Sequence, residues 1–271
     1  YYALHSGEEM AVAEAIYEHY LPRFAGDRLP VSLAGVYVGL ADRLDSLAGL
    51  FAAGLAPNGA RDPFALRRAA FGVLQVLIDR EMPFDLRRAL QLAAEMLPLE
   101  ATPQALSECF DFIAGRLQSL LLEQGFRYDV VEAVLAAQAH NPAGAVGAVR
   151  SLSAWALRED WNSILPAYAR CVRITRTFQE RFEIHPEKLV EAEEQELFEA
   201  LCNAEKQARQ PGCVESFFAV FLPLIPVINR FFDAVLVMAE DSTLRSNRLG
   251  MLQRIADLAR GVADFSRLEG F

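Results

Sequence analysis

The sequence predicts an all-α protein, and three observations carry that prediction. Apolar residues recur at threes and fours along nearly every segment, the spacing that lines one face of a helix. No run alternates apolar and polar residues convincingly, and the turn signals lie too far apart for a sandwich of short strands. Capping signals stand at Asp62-Pro63 and Asp241-Ser242, where a short oxygen-bearing side chain precedes helical periodicity. The chain has 271 residues, 53% of them hydrophobic, enough for a sizeable core. That length suggests two domains.

Taken in order, a first helix is predicted over about Glu8 to Tyr20, ending before Pro22. A long apolar helix follows from about Val31 to Ala53, carrying Val36, Leu40, Leu44, Leu47 and Phe51 on one face, and Pro57-Asn58-Gly59 breaks it. Asp62-Pro63-Phe64 reads as the start of the next helix, with Asp62 as N-cap and Pro63 in the first helical position. This helix turns Leu66, Ala70, Val73, Leu74 and Leu77 inward. Arg68 falls with Gln75 and Asp79 on the wet side. Arg67 falls nearer the seam, where it needs an acidic partner. Further helices are predicted over Phe84 to Met96, Gln104 to Gln124, Tyr128 to Gln138, Ala143 to Leu157 and Ala167 to Phe182. The stretch from Pro186 to Arg209 is rich in glutamate (Glu191, Glu193, Glu194, Glu196) and reads as a solvated helix face. After Gln210-Pro211-Gly212, Val214 to Phe221 is helical, and Pro223 and Pro226 kink the helical run beyond it. The end reads as two helices with a tight corner near Asp241. The second has Leu244, Leu249, Leu252, Ile255, Leu258, Val262 and Phe265 inward and Arg245, Asn247, Arg248 and Arg254 on its polar face.

The net charge of −10 excludes a globally basic nucleic-acid binder and leaves local basic patches open. Cys109, Cys171, Cys202 and Cys213 are scattered, with no paired spacing, which fits reduced thiols in a cytoplasmic protein and supplies no zinc site. His5, His19, His140 and His185 do not join them. No signal peptide is visible, and an opening on Tyr1-Tyr2 without Met suggests a piece of a longer protein. The most apolar run, Phe217 to Met238, contains Arg230 and Asp233 and reads as core helices rather than a membrane span. No Gly-rich phosphate loop and no nucleophile motif occurs. Asp42, with His19 upstream, is the one candidate metal position. The plainer reading has Asp42 cap a helix or pair with an arginine such as Arg67.

Local cationic groups do exist. Arg170, Arg173 and Arg176 follow at i, i+3 and i+6, and Arg245 and Arg248 repeat the spacing. Guanidiniums grip phosphate bidentately or stack on unpaired bases. The competing reading pairs them with the acidic stretch from Glu191 to Glu199, and reads Trp155, Trp161, Tyr168 and Phe178 as core.

Several blocks carry a family resemblance. They are Tyr1 to Pro30, with Val-Ala-Glu-Ala-Ile-Tyr-Glu-His-Tyr-Leu-Pro-Arg-Phe; Leu40-Ala41-Asp42-Arg43-Leu44-Asp45-Ser46-Leu47; Asp62 to Ala70; Val227 to Met238; and Leu244-Arg245-Ser246-Asn247-Arg248-Leu249. In this order they closely resemble the β subunit of bacterial glycyl-tRNA synthetase, with only a loose match from about Pro98 to Leu165. The resemblance implies the later part of an HD-like helical domain over 1–97, a helical linker over 98–164 and a DALR-type anticodon-binding bundle over 165–271. It implies no catalytic residue here, with aminoacylation, ATP and Mg belonging to the α subunit or α part. Glycine tRNA and that α part are the implied partners. The RNA contacts expected are Arg67, Arg68, Arg170, Arg173, Arg176, Arg245, Asn247 and Arg248. Asp42 matches the last Asp of the HD metal pattern, left vestigial because the His-Asp pair is generally lacking. The alternatives are a fragment of an HD-type nucleotide phosphohydrolase and a helical scaffold that contacts only protein.

Overall fold

The computed structural model describes every residue except Ala25 and Ala60. The described residues form α1 (Tyr2–His5), α2 (Met10–Glu18), α3 (Leu33–Ala52), α4 (Leu66–Asp79), α5 (Leu86–Glu95), α6 (Pro103–Glu123), α7 (Tyr128–Gln138), α8 (Pro142–Ala156), α9 (Trp161–Thr175), α10 (Ala192–Lys206), α11 (Val214–Phe221), α12 (Ile225–Ala234) and α13 (Ser242–Asp257). Short 3-10 turns cover Pro186–Lys188, Leu222–Leu224 and Phe265–Arg267. Among the described residues no strand forms, and the only β-type pairing is an isolated bridge between Asn58 and Arg61. The chain divides into two compact units, residues 1–125 with 139–146, and residues 126–138 with 147–271.

In the first unit α3 is the central element, packed on α2, α4, α5 and α6. Ser32 caps it, its hydroxyl accepting from the Gly35 amide. Val36, Leu40, Leu44, Leu47 and Phe51 are buried, as their spacing predicts. Between them, beside the exposed Asp42, Arg43 is only 8% exposed. Its guanidinium donates to the carbonyls of His19 at 2.9 Å, Gly39 at 2.9 Å, Leu21 at 2.8 Å and Pro22 at 3.3 Å. A buried arginine fork satisfied by backbone carbonyls ties the chain after α2 to the side of α3. Burial holds its pKa below the usual arginine value. Two glycines make room for it. A Cβ at Gly72 would come 2.6 Å from Arg43 Nε, and one at Gly39 would come 2.9 Å from both Arg43 Nη1 and the His19 carbonyl.

Asp62 acts as the sequence suggests, but one turn early. The helix begins at Leu66, not Pro63, because Ala65 adopts a left-handed conformation with φ of 56°. The Asp62 carboxylate reaches across that turn to the amides of Leu66 at 2.8 Å and Arg67 at 3.0 Å. It therefore still fills the orphan donors of the first turn, and the cap is set by the turn rather than by adjacency. Leu66, Ala70, Val73, Leu74 and Leu77 are buried. Arg68 is exposed and Arg67 half-buried. Arg67 lies 3.9 Å from Asp62 and also donates to the Gly59 carbonyl, so its partner is Asp62 and not Asp42.

The second unit is built on aromatic packing. Phe217 and Phe221 stack at 5.3 Å, and Tyr168 meets both edge-on at 5.9 and 5.7 Å. The Tyr168 hydroxyl, inside this cluster, donates to the Ala256 carbonyl at 3.0 Å. Trp155, half-buried, stacks on Phe218 at 4.2 Å while its indole N–H donates to Glu215 at 3.0 Å. The run Val214–Ala234 is long and apolar enough to cross a membrane. It is divided by the 3-10 turn at Leu222–Leu224, and Phe217, Phe218, Phe221, Ile228 and Phe231 are essentially inaccessible to solvent. Three boundaries differ from the prediction, and one is the last helix, which ends at Asp257 instead of continuing through Leu258 and Val262 to Phe265. The helix expected over Ala167 to Phe182 begins at Trp161, carries Pro166 inside it and stops at Thr175. The tight corner near Asp241 is a seven-residue loop, 235–241, since α12 ends at Ala234.

Replacing Arg43 with Met should leave its carbonyl acceptors unsatisfied in a dry site and cost about 3 kcal/mol in a urea unfolding curve. Gly72→Ala should destabilise as well, by pressing on Arg43. Arg67→Ala should lower the melting temperature more than Arg68→Ala, since only Arg67 has a carboxylate and a carbonyl to lose.

Candidate nucleic-acid interface

The expected contact residues fall into two groups once side chains are placed. In α13 the polar face predicted from spacing does not exist over its middle. The residues from Asn247 to Gln253 are all buried. Helices α9 and α10 and the segment before Leu189 cover it on several sides. Asn247 and Arg248, expected at the surface, are therefore interior groups.

Each has partners distant in sequence. Asn247 accepts from the His185 amide at 2.7 Å and donates to the His185 carbonyl at 3.0 Å. Arg248 is ion-paired through Nε to Glu194, which is 0% exposed, and donates through Nη1 to the Leu236 carbonyl at 2.8 Å. The second oxygen of Glu194 accepts from the amides of Val190 at 2.7 Å and Glu191 at 3.0 Å, within a capping box that opens α10. One buried pair thus fastens α13 to the start of α10 and to the loop 235–241. The acidic run is a solvated face except at Glu194, which the core takes up because Arg248 neutralises it.

Arg245 is different. It is half-buried, and its Nη1 donates to the Ala239 carbonyl at 3.0 Å, which steadies the loop that Asp241 closes. Asp241 caps α13 as predicted, accepting from Thr243 at 2.8 Å and Leu244 at 3.0 Å. Those two amides hold its carboxyl below the usual range.

The row on α9 remains open. Arg173 and Arg176 are exposed and Arg170 is half-buried. Among the described residues none of the three has a carboxylate within ion-pair distance, whereas Arg181, Arg230, Arg248 and Arg254 each do. The guanidinium of Arg170 sits 4.3 Å from the centre of the Phe232 ring, and that of Arg173 sits 5.5 Å from Phe271. A guanidinium lying on an aromatic face gains cation–π attraction, and its charge stays unneutralised by any acid. This is a cationic strip on an acidic protein. Arg67 and Arg68 belong to the other compact unit, where only Arg68 is fully open.

Asp42 is exposed. Among the described residues no group of three or more His, Cys, Asp and Glu side chains is placed to hold a metal. His19, the other half of that candidate, puts Nδ1 2.6 Å from the Ile16 carbonyl. Cys109 and Cys171 are buried, and burial pushes both thiols up to about 12, so neither is a nucleophile at neutral pH.

Sequence reading did not find the amide pair Asn247 and Gln253. Gln253 accepts from the Phe182 amide at 3.1 Å and donates to the Glu180 carbonyl at 2.9 Å. The signal was present as Asn247, Gly250 and Gln253 at i, i+3 and i+6. It looked like solvated face because only the tertiary structure brings a strand-like segment against it.

Arg248→Ala should leave Glu194 buried and unpaired, and lower stability by about 3 kcal/mol or more in chemical denaturation. Arg173→Ala should change it by no more than about 0.5 kcal/mol. Gln253→Ala should speed amide exchange at Phe182, read by NMR, before it affects the centre of α13.

A family profile described as glycyl-tRNA synthetase beta subunit matches residues 1–136. The glycine–tRNA ligase beta subunit of Moorella thermoacetica is 41% identical over 99% of this chain and 40% of its own length. That of Desulforamulus reducens is 37% identical over 98% of this chain and 39% of its own. The chloroplastic/mitochondrial glycine–tRNA ligase 2 of Arabidopsis thaliana is 34% identical over 100% of this chain and 26% of its own. The chain thus spans about 40% of the length of the bacterial relatives it matches. With all-helical architecture, a profile match over half the chain and similarity along nearly all of it, the chain belongs to the glycyl-tRNA synthetase beta subunit family.

Proposed function

We propose that this chain is a tRNA-binding portion of a glycine–tRNA ligase, gripping glycine tRNA near its anticodon while aminoacylation takes place on the α subunit or α part. In this reading residues 1–97 are the later part of an HD-like domain, 98–164 a helical linker and 165–271 the anticodon-binding bundle. ATP and Mg act elsewhere in the complete enzyme, and the site of action is the cytoplasm. The relatives' names support the substrate class: two are glycine–tRNA ligase beta subunits.

One observation carries the location of the contact: the row Arg170, Arg173 and Arg176 along α9 and its C-cap has no acidic partner, when neighbouring arginines of the same unit are ion-paired. A net charge of −10 repels RNA at long range, so binding has to come from short-range cation contacts and stacking. Arg68 and the half-buried Arg245 are auxiliary contacts available to backbone phosphate. Asn247 and Arg248 act from inside, by holding the loops around the strip in place. Asp42 carries no catalytic role.

Binding of glycine tRNA, measured by filter retention at low salt, tests this. Arg173→Ala and Arg176→Ala should each weaken it several-fold, about equally for parent and anticodon-variant RNAs if they grip phosphate. The slope of log affinity against log salt should be shallow, set by the few phosphates neutralised, and each substitution should make it shallower. Unchanged affinity in both variants would place the RNA on another face.

A further inference from the structure

The segment that follows Arg176 is held in an unusual way. Residues 178–185 form neither helix nor strand. Two buried amides of α13 serve this segment as a neighbouring strand would, Gln253 at Glu180 and Phe182, Asn247 at both polar groups of His185. The register is set by length. Three extended residues from Phe182 to His185 cover about 10 Å at the usual rise of a strand. Six helical residues from Asn247 to Gln253 cover about 9 Å. Gly250 lies midway, and a Cβ there would come 2.8 Å from the Phe182 carbonyl, so the segment lies directly on the helix.

The side chains alternate as a strand's do. Phe182 and Ile184 are half-buried, whereas Arg181, Glu183 and His185 are exposed. Arg181 is tied to Asp257 by bonds of 2.7 and 3.1 Å, and His185 lies 3.6 Å from Glu187. Among the described residues Glu183 alone of these three has no side-chain partner. The backbone on either side of it is held by Gln253 and Asn247, which make no use of its carboxylate.

We infer that residues 180–185 form a base-reading strap, in which Glu183 accepts hydrogen bonds from an exocyclic amino group of an unpaired RNA base. The inference rests on the RNA-binding reading above. A carboxylate on the segment that follows the arginine row in the chain is repelled by phosphate, and it gains only where amino groups are presented, as on cytosine, adenine or guanine edges. The strip on α9 supplies affinity, and the strap supplies choice of base. Asn247 and Gln253 are positioning residues, acting through the segment they hold.

The test uses the whole chain with the anticodon stem–loop of glycine tRNA and a set of loops with each base replaced in turn. Glu183→Gln keeps the shape and loses the charge. It should lower the preference for the parent loop over at least one variant by about tenfold, with exchange at the Phe182 and His185 amides unchanged. Gln253→Ala should lower the same preference while its affinity for the disfavoured loop stays within about twofold, a pattern that general destabilisation would not produce. If Arg173→Ala weakens binding but Glu183→Gln leaves every preference within about twofold, the strap is not a reader and the arginine strip stands. If the folded parent chain binds none of the loops, the RNA reading and the strap fall together.

Discussion

The contact between Arg248 and Glu194 is the one on which the second unit most depends. Two charges removed from water are tolerable only when each satisfies the other and their remaining polar valences are filled. Here backbone supplies further partners: Leu236 on one side, Val190 and Glu191 on the other. The pair therefore fixes where α10 starts and how the loop after α12 returns to α13. Non-directional aromatic packing supplies most of the apolar burial around it, but packing alone tolerates rotation of a helix. A buried ion pair with backbone partners does not.

The first unit uses the same device with a different acceptor. Arg43 has no carboxylate at all; four carbonyls take its fork, and two glycines clear the space it needs. In both units a guanidinium converts loop backbone into a fixed part of the core. Arginine suits this because its planar fork is pre-organised and stays charged even when burial lowers its pKa. Of the many arginines in this acidic chain, most are therefore engaged in architecture, and the open row on α9 is informative by contrast.

Much was legible from residue pattern. The all-α class followed from periodicity, and the buried faces of α3 and α4 followed residue by residue. Asp241 was found as a cap because a cap needs only local chain. Asp62 was found as a cap with the wrong first residue, because a left-handed Ala65 inserts a turn that no propensity rule anticipates. Arg67 and Arg68 were sorted correctly, since two adjacent helical positions differ by about 100° and the apolar stripe marks the inside.

The failures share one physical origin. A helical wheel assigns polar residues to water, and it assumes one buried face. Asn247, Arg248 and Gln253 break that assumption because α13 is enclosed on several sides, and each polar group there is matched to a partner distant in sequence. For Asn247 that partner is His185, and for Arg248 it is Glu194. The sequence by itself determined the class of fold, the order and approximate extent of its helices, the caps and the family resemblance, all of which depend on local pattern or on strings of residues. Only the tertiary structure decided which arginines are core, which stay unpaired beside an aromatic ring, and which extended segment two amides hold. Those outcomes depend on long-range pairing of buried polar groups, and the desolvation cost that enforces such pairing arises only once the chain is packed.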